Sequence, residues 1–136
     1  MKWIIDTNIV LDVLLKRTPF YETSFKVLEL SEKNDVYEYI TATSLTDIYY
    51  IARRQIHNKA LVLKLINDLL KIVHIAGVNE QEILLALKLD WKDFEDAVQY
   101  ASSKTIGANF IITRNPDDYK ESKIPIYTPE QALSNL

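Results

Sequence analysis

The chain has 136 residues, 48% hydrophobic and 26% charged, with two Gly, four Pro and no Cys, and area scaling buries about two-thirds of the unfolded surface of one domain spanning 1–136. The absence of cysteine excludes a disulfide scaffold, thiolate zinc and a cysteine nucleophile, and two histidines, His57 and His74, are too few for a histidine-rich metal site. Net charge is −3, from 16 basic and 19 acidic residues, which argues against broad, nonspecific nucleic-acid binding but allows a local basic rim around an acidic site.

Residues 2–6 are a short apolar run closing on a carboxylate and predict a buried first strand. Asp6, Thr7, Asn8 and Asp12 interrupt that run before an export signal forms, and no stretch reaches the ~18 apolar residues of a membrane-spanning helix. A cysteine-free chain of this kind is expected in the reducing cytoplasm, away from membranes. Residues 8–16 set Ile9, Val10, Val13 and Leu14 on one helical face, Pro19 ends that helix, and 22–33 carry Phe25, Leu28 and Leu30 as a second. Residues 37–41 alternate as a strand. Ser44 is placed to cap a helix reaching about Arg54, with Asp47 at the capping-box position. Leu61, Leu65 and Leu69 mark the next helix, closed near Lys71, and 72–76 form a strand before Gly77. Helices follow at 80–88 and 94–104, strands at 109–113 and 126–127, and a final helix at 129–133 with proline first. Strands separated by helices imply parallel crossovers and a three-layer α/β sheet with helices on both faces.

In open α/β sheets, ligands bind beyond the carboxyl ends of the strands. The first strand ends in Asp6-Thr7-Asn8, and a later one in Thr113-Arg114-Asn115 with Asp117 and Asp118 just after. Asp93 and Asp96, at i and i+3 on the first turn of a helix, face the same way, while Glu95 is expected to point elsewhere. Such an oxygen-rich, sulfur-free set suits Mg²⁺ or Mn²⁺. Carboxylates converging at ~5 Å repel by about 3 kcal/mol per pair at an effective dielectric of ~20, a cost that a bound cation removes. Metal-assisted phosphodiester hydrolysis is the chemistry these residue types favour.

Structural roles compete with each assignment. Asp6 also reads as a turn former, the weaker reading there, Asp93 evenly as a helix cap with Asp96 in its capping box, and Asp47 taken alone more as an ordinary helix-start acid. Asn115 also reads as a turn residue before Pro116, and Asp118 as a solvated loop acid. Arg53, Arg54, His57 and Lys59 suit a solvated helix end, or a phosphate-contacting rim if that end borders the acidic site. Tyr49 and Tyr50 suit packing or base stacking, and His74 a core or edge position.

Five blocks carry a resemblance: Ile4-Ile5-Asp6-Thr7-Asn8, Ser44-Leu45-Thr46-Asp47-Ile48-Tyr49-Tyr50, Asp93-Phe94-Glu95-Asp96-Ala97, Ile112-Thr113-Arg114-Asn115 with Asp118-Tyr119, and Ile126-Tyr127-Thr128-Pro129. In this order and spacing the chain resembles the PIN domain, the small α/β nuclease fold of VapC-type toxins from bacterial toxin–antitoxin pairs. The resemblance implies a five-stranded parallel sheet, a pocket holding Mg²⁺ or Mn²⁺, and RNA cleavage leaving 5′-phosphate and 3′-hydroxyl ends. It puts the family's acids on Asp6, Asp47 and Asp96 and its last acid on Asn115, so these four are the expected catalytic residues. Asp6, Asp96 and Asp93 become the expected metal ligands. Thr7, Asn8, Thr113 and Asp118 would support the carboxylates, and Arg114, Arg53 and Arg54 would meet RNA phosphates.

Two positions depart from the commoner family pattern. Asn115 stands in a Thr-Arg-Asn block where Thr-Arg-Asp is commoner, and Asp47 is one methylene shorter than the usual Glu. A neutral Asn can coordinate a metal or hold a water, but it lowers the negative charge of the site, and Asp93 or Asp118 is near enough in sequence to compensate. The resemblance further implies a homodimer and a small antitoxin whose tail fills the groove. The expected function is a metal-dependent endoribonuclease of toxin type; the alternative is a non-catalytic PIN-like module binding RNA or protein. A phosphotransfer receiver ranks third, because Ile40-Thr41-Ala42 and Thr113-Arg114-Asn115 lack its acceptor Asp and its Lys.

Overall fold

The computed structural model describes residues 1–31, 33 and 35–135. Its centre is a sheet of five parallel strands, β1 (Lys2–Ile5), β2 (Tyr37–Thr41), β3 (His74–Ala76), β4 (Phe110–Ile112) and β5 (Ile126–Tyr127), in the order β3-β2-β1-β4-β5. Around it lie α1 (Thr7–Leu14), α2 (Tyr21–Leu28), α3 (Ala42–Gln55), α4 (Lys59–Leu69), α5 (Glu80–Leu89), α6 (Phe94–Thr105) and α7 (Pro129–Ser134). The three-layer α/β architecture expected from the alternating periodicities is therefore the one observed.

The sequence of β1 explains its central place. Trp3, Ile4 and Ile5 are all buried, because a parallel strand covered on both faces has no polar side to alternate with. Trp3 and Ile5 face one layer, meeting Ile9 and Val10 of α1, Val27 of α2, Ile48 of α3, Leu69 of α4 and Ala132 of α7. Ile4 and Ile111 face the opposite layer, where Tyr100 of α6 and Tyr119 pack. From β1 the chain winds outward through β2 and β3, then returns to add β4 and β5 on the other side. The direction of winding thus reverses between β1 and β4, which opens a crevice at their carboxyl ends.

Several element ends differ from expectation. Helix α3 leaves β2 without a loop, and Thr41, not Ser44, is its cap, with the Ser44 N–H donating to Thr41 Oγ1 at 3.2 Å. Ser44 is instead buried in the first turn, its hydroxyl bonded to that of Thr7, and Asp47 stands in the second turn rather than in a capping box. Strand β3 begins only at His74, because the N–H groups of Ile72 and Val73 both bond to the Leu69 carbonyl and close α4. Helix α2 ends at Leu28, and Leu30 and Ser31 continue as turns; residue 32 of the longer helix expected there lies outside the described residues. After β4, Pro116–Tyr119 form a 3₁₀ turn that sequence periodicity does not reveal. It folds Tyr119 back into the core, where the residue is 1% exposed.

Candidate active site

Asp6 follows β1 directly and caps α1. Its Oδ1 accepts from the Thr7 N–H at 2.8 Å and from Gln99 Nε2 at 3.2 Å, and its Oδ2 accepts from Thr113 Oγ1 at 2.7 Å. Burial raises the Asp6 carboxyl above the ordinary range against the pull of these three hydrogen bonds, with the Asp118 charge adding to the rise. Asp96 lies one turn before Gln99 on α6 and accepts from the Tyr119 hydroxyl at 3.1 Å. Its carboxyl is pushed up to about 7, first by burial and then by the charges of Asp93 and Asp6, with the Tyr119 hydrogen bond opposing. Asp93 is the cap of α6, accepting from the Asp96 N–H at 3.1 Å.

These groups open onto a cleft of about 240 Å³ lined, among the described residues, by six acids, Asp6, Asp47, Asp93, Glu95, Asp96 and Asp118, and by no lysine or arginine. Thr7, Asn8, Thr41, Thr43, Ser44, Gln99 and Asn115 complete most of its wall. Sequence-distant segments meet here because α1 starts where β1 ends, α3 starts where β2 ends, and the 3₁₀ turn starts just past β4. Glu95, expected to point elsewhere, belongs to the same wall. Burial and the neighbouring charges of Asp47 and Asp93 hold its carboxyl above the ordinary range.

The cleft gathers Asp6, Thr7, Asn8, Asp47, Asp93, Asp96, Asn115 and Asp118 from the expected set. Thr113 lies fully buried behind Asp6; its hydroxyl donates to that carboxylate and accepts from the Asn115 N–H at 3.0 Å. Arg114 is a correction. Its side chain turns away from the cleft to the fully buried Asp12, with Nε on Oδ2 at 2.8 Å and Nη2 on Oδ1 at 3.2 Å, and its guanidinium lies 3.8 Å over the Phe20 ring. Arg53 and Arg54 line a separate concavity with Tyr49 and Tyr50, outside the acidic cleft. Tyr50 is exposed, and His74 sits on the edge strand with its ring 5.2 Å from that of Tyr39.

Sequence reasoning missed Gln99, Tyr119, Glu95 and Asp12. Gln99 was within reach, since it lies at i+3 from Asp96 and so shares its helix face. Tyr119 stands in the Asp118-Tyr119 block of the resemblance, but no local signal gives its role or that of Asp12, which depend on the 3₁₀ turn and on the packing of α1 against Arg114.

Among the described residues no three acidic or imidazole groups already stand at coordinating distance. The donor chemistry nevertheless suits a hard divalent cation, being all oxygen, rich in carboxylates and free of competing ammonium or guanidinium groups. Burial raises Asp6, Glu95 and Asp96 first, and neighbouring carboxylates add to the rise at each.

Comparison with known proteins gives a consistent picture. The family model described as "PIN domain" matches residues 2–117. "Ribonuclease VapC1" of Aquifex aeolicus (strain VF5) is 25% identical over 136 residues, covering 96% of this chain and 92% of that protein. The structure of VapBC-1 from nontypeable Haemophilus influenzae superposes with a TM-score of 0.74 at 16% identity, over 96% of this chain and 99% of the other. A toxin–antitoxin complex from Klebsiella pneumoniae gives a TM-score of 0.69 at 20% identity, over 93% and 96%.

Proposed function

The chain belongs to the PIN domain family, and on that footing we propose that it is a Mg²⁺- or Mn²⁺-dependent endoribonuclease, the toxin of a toxin–antitoxin pair. The observation that carries this reading is the cleft itself, with six acids and no basic side chain at the carboxyl ends of β1 and β4. A divalent cation there would make water acidic enough to attack near neutral pH and offset charge developing on a phosphoryl oxygen.

Asp6, Asp96 and Asp93 are the residues that hold the cation, and Asp47 and Glu95 extend the same acidic wall. Thr7 and Thr113 fix the Asp6 carboxylate through their hydrogen bonds. Asn8 and Asp118 complete the rim. Asn115 offers an amide that donates to a phosphate oxygen and accepts from water without adding charge. Arg53 and Arg54, beside exposed Tyr50, meet the phosphates of an RNA strand leaving the cleft. The names of the Aquifex protein, a ribonuclease, and of the Klebsiella structure, a toxin–antitoxin complex, support a ribonuclease that works with an antitoxin partner. A homodimer and a cytoplasmic site of action complete the proposal; among the described residues no helix is long and apolar enough to cross a membrane.

Incubating the purified chain with a mixed RNA pool in Mn²⁺, in Mg²⁺ and in chelator tests the proposal. The expected result is metal-dependent cuts bearing 5′-phosphates. A folded protein that binds cation yet leaves every RNA intact would overturn the catalytic reading in favour of an RNA- or protein-binding module, for which the neutral Asn115 is the motive.

A further inference from the structure

Two neutral side chains join the acids of the cleft. Gln99 on α6 is 4% exposed and Tyr119 at the end of the 3₁₀ turn is 1% exposed. The Gln99 amide nitrogen donates to Asp6 Oδ1 at 3.2 Å and also to the Tyr119 hydroxyl. That hydroxyl in turn donates its one proton to Asp96 Oδ1 at 3.1 Å. With both acids ionised, as cation binding requires, the direction of every bond is fixed by chemistry. An amide NH₂ has two protons and a phenol one, so all three are used and both ends of the chain are carboxylate oxygens that accept. Flipping the amide would set its carbonyl oxygen against Asp6 Oδ1, where both atoms accept and neither donates.

The bridge also accounts for lone pairs. A carboxylate offers about four acceptor sites. At Asp6 the Thr7 N–H, Gln99 and Thr113 fill three of them, whereas the bridge fills one at Asp96. The Tyr119 ring is held independently of its hydroxyl, edge-on to Trp91 with centroids 6.1 Å apart at 82°. Packing thus places the ring, and the hydroxyl is free to serve the cleft.

We infer that Gln99 and Tyr119 are positioning residues: a neutral hydrogen-bonded bridge that sets Asp6 and Asp96 in the mutual orientation needed to hold one divalent cation. The inference rests on the proposed cation-dependent function and assigns residues to it that are neither acids nor metal ligands. Asp6, with three acceptor sites filled, is oriented for one remaining contact, and Asp96 supplies the freer oxygen. Removing the bridge leaves both carboxylates present but loosely aimed.

Calorimetric titration of Mn²⁺ into wild type, Tyr119→Phe and Gln99→Met tests this, with circular dichroism to confirm folding and cleavage kinetics in parallel. The expected result is Mn²⁺ affinity lowered by ~10-fold in each folded variant, the typical effect of removing a group that orients a ligand, with kcat reduced and KM for RNA unchanged. A purely structural role would lower the melting temperature and leave the Mn²⁺ affinity of the folded protein intact. Affinity within twofold of wild type in folded Tyr119→Phe overturns the inference, and that variant keeps the ring should Gln99→Met fail to fold. Wild type that takes up no Mn²⁺ would instead overturn the cation-dependent function, and the bridge with it.

Discussion

Arg114 makes two hydrogen bonds to a carboxylate that water does not reach, so removing it strands a buried charge. Asp12 is fully buried and also accepts from Ser24 Oγ at 3.2 Å, with Arg17 3.8 Å away. The ion pair ties the end of α1 to the turn that carries Thr113 and Asn115 into the site. Arg114→Ala should therefore cost about 3–5 kcal/mol of stability, read from urea unfolding. Unchanged stability with weaker RNA binding would restore the phosphate-contact role expected from sequence. Asp6, Asp93 and Asp96 were legible because each stands just past an apolar strand or at a helix start, where a carboxylate has either a cap or a ligand to serve. Arg114 misled because its neighbours, Thr113 and Asn115, belong to the site while its side chain points away from it. Sequence adjacency fixes where a backbone lies, not the direction of each side chain.

At the scale of elements, β2 carries a buried acid that the cleft does not use. Glu38 is fully buried opposite Trp3 in the register of β2 and β1, and its two carboxyl oxygens and the Trp3 indole nitrogen have no hydrogen-bond partner. Burial pushes its carboxyl up to about 8. The folded chain therefore keeps a proton that the unfolded chain releases above its ordinary value near 4.5. Stability falls as pH rises through that window and levels off above about 8. Glu38→Gln removes the titration, so its stability relative to wild type should climb by about 4 kcal/mol from pH 4.5 to pH 8. Urea midpoints across that range check it, and a difference independent of pH would contradict it. The elements themselves were legible from periodicity, and their ends less so. Thr41 caps α3 because β2 runs into the helix without a loop, a tertiary fact that left Ser44 and Asp47 looking like a capping box. The 3₁₀ turn that buries Tyr119 is too short for any period to show.

Taken whole, the molecule concentrates unmatched negative charge in one crevice while its net charge stays at −3. The resemblance and the rule of parallel crossovers implied a five-stranded parallel sheet but not the order of its strands, and that order is what brings β1 and β4 side by side. That adjacency unites Asp6 with Asp96 across ninety residues of sequence, and the proposed chemistry depends on their meeting. Asp96, whose carboxyl is pushed up to about 7 first by burial and then by the charges of Asp93 and Asp6, keeps on folding a proton that the unfolded chain releases above the ordinary carboxylate range. Its contribution to stability therefore falls as pH rises from the ordinary carboxylate range toward about 7. An amide in its place relieves that repulsion while removing the charge that a cation needs. The decisive measurement is the RNA cleavage rate of Asp96→Asn in saturating Mn²⁺ at pH 7.5, set beside its cation-free melting temperature. The expected result is a loss of at least ~100-fold in rate in a protein that melts at or above the wild-type temperature. Wild-type cleavage by the variant, or its failure to fold, would contradict the assignment of the acidic cleft as the reacting centre.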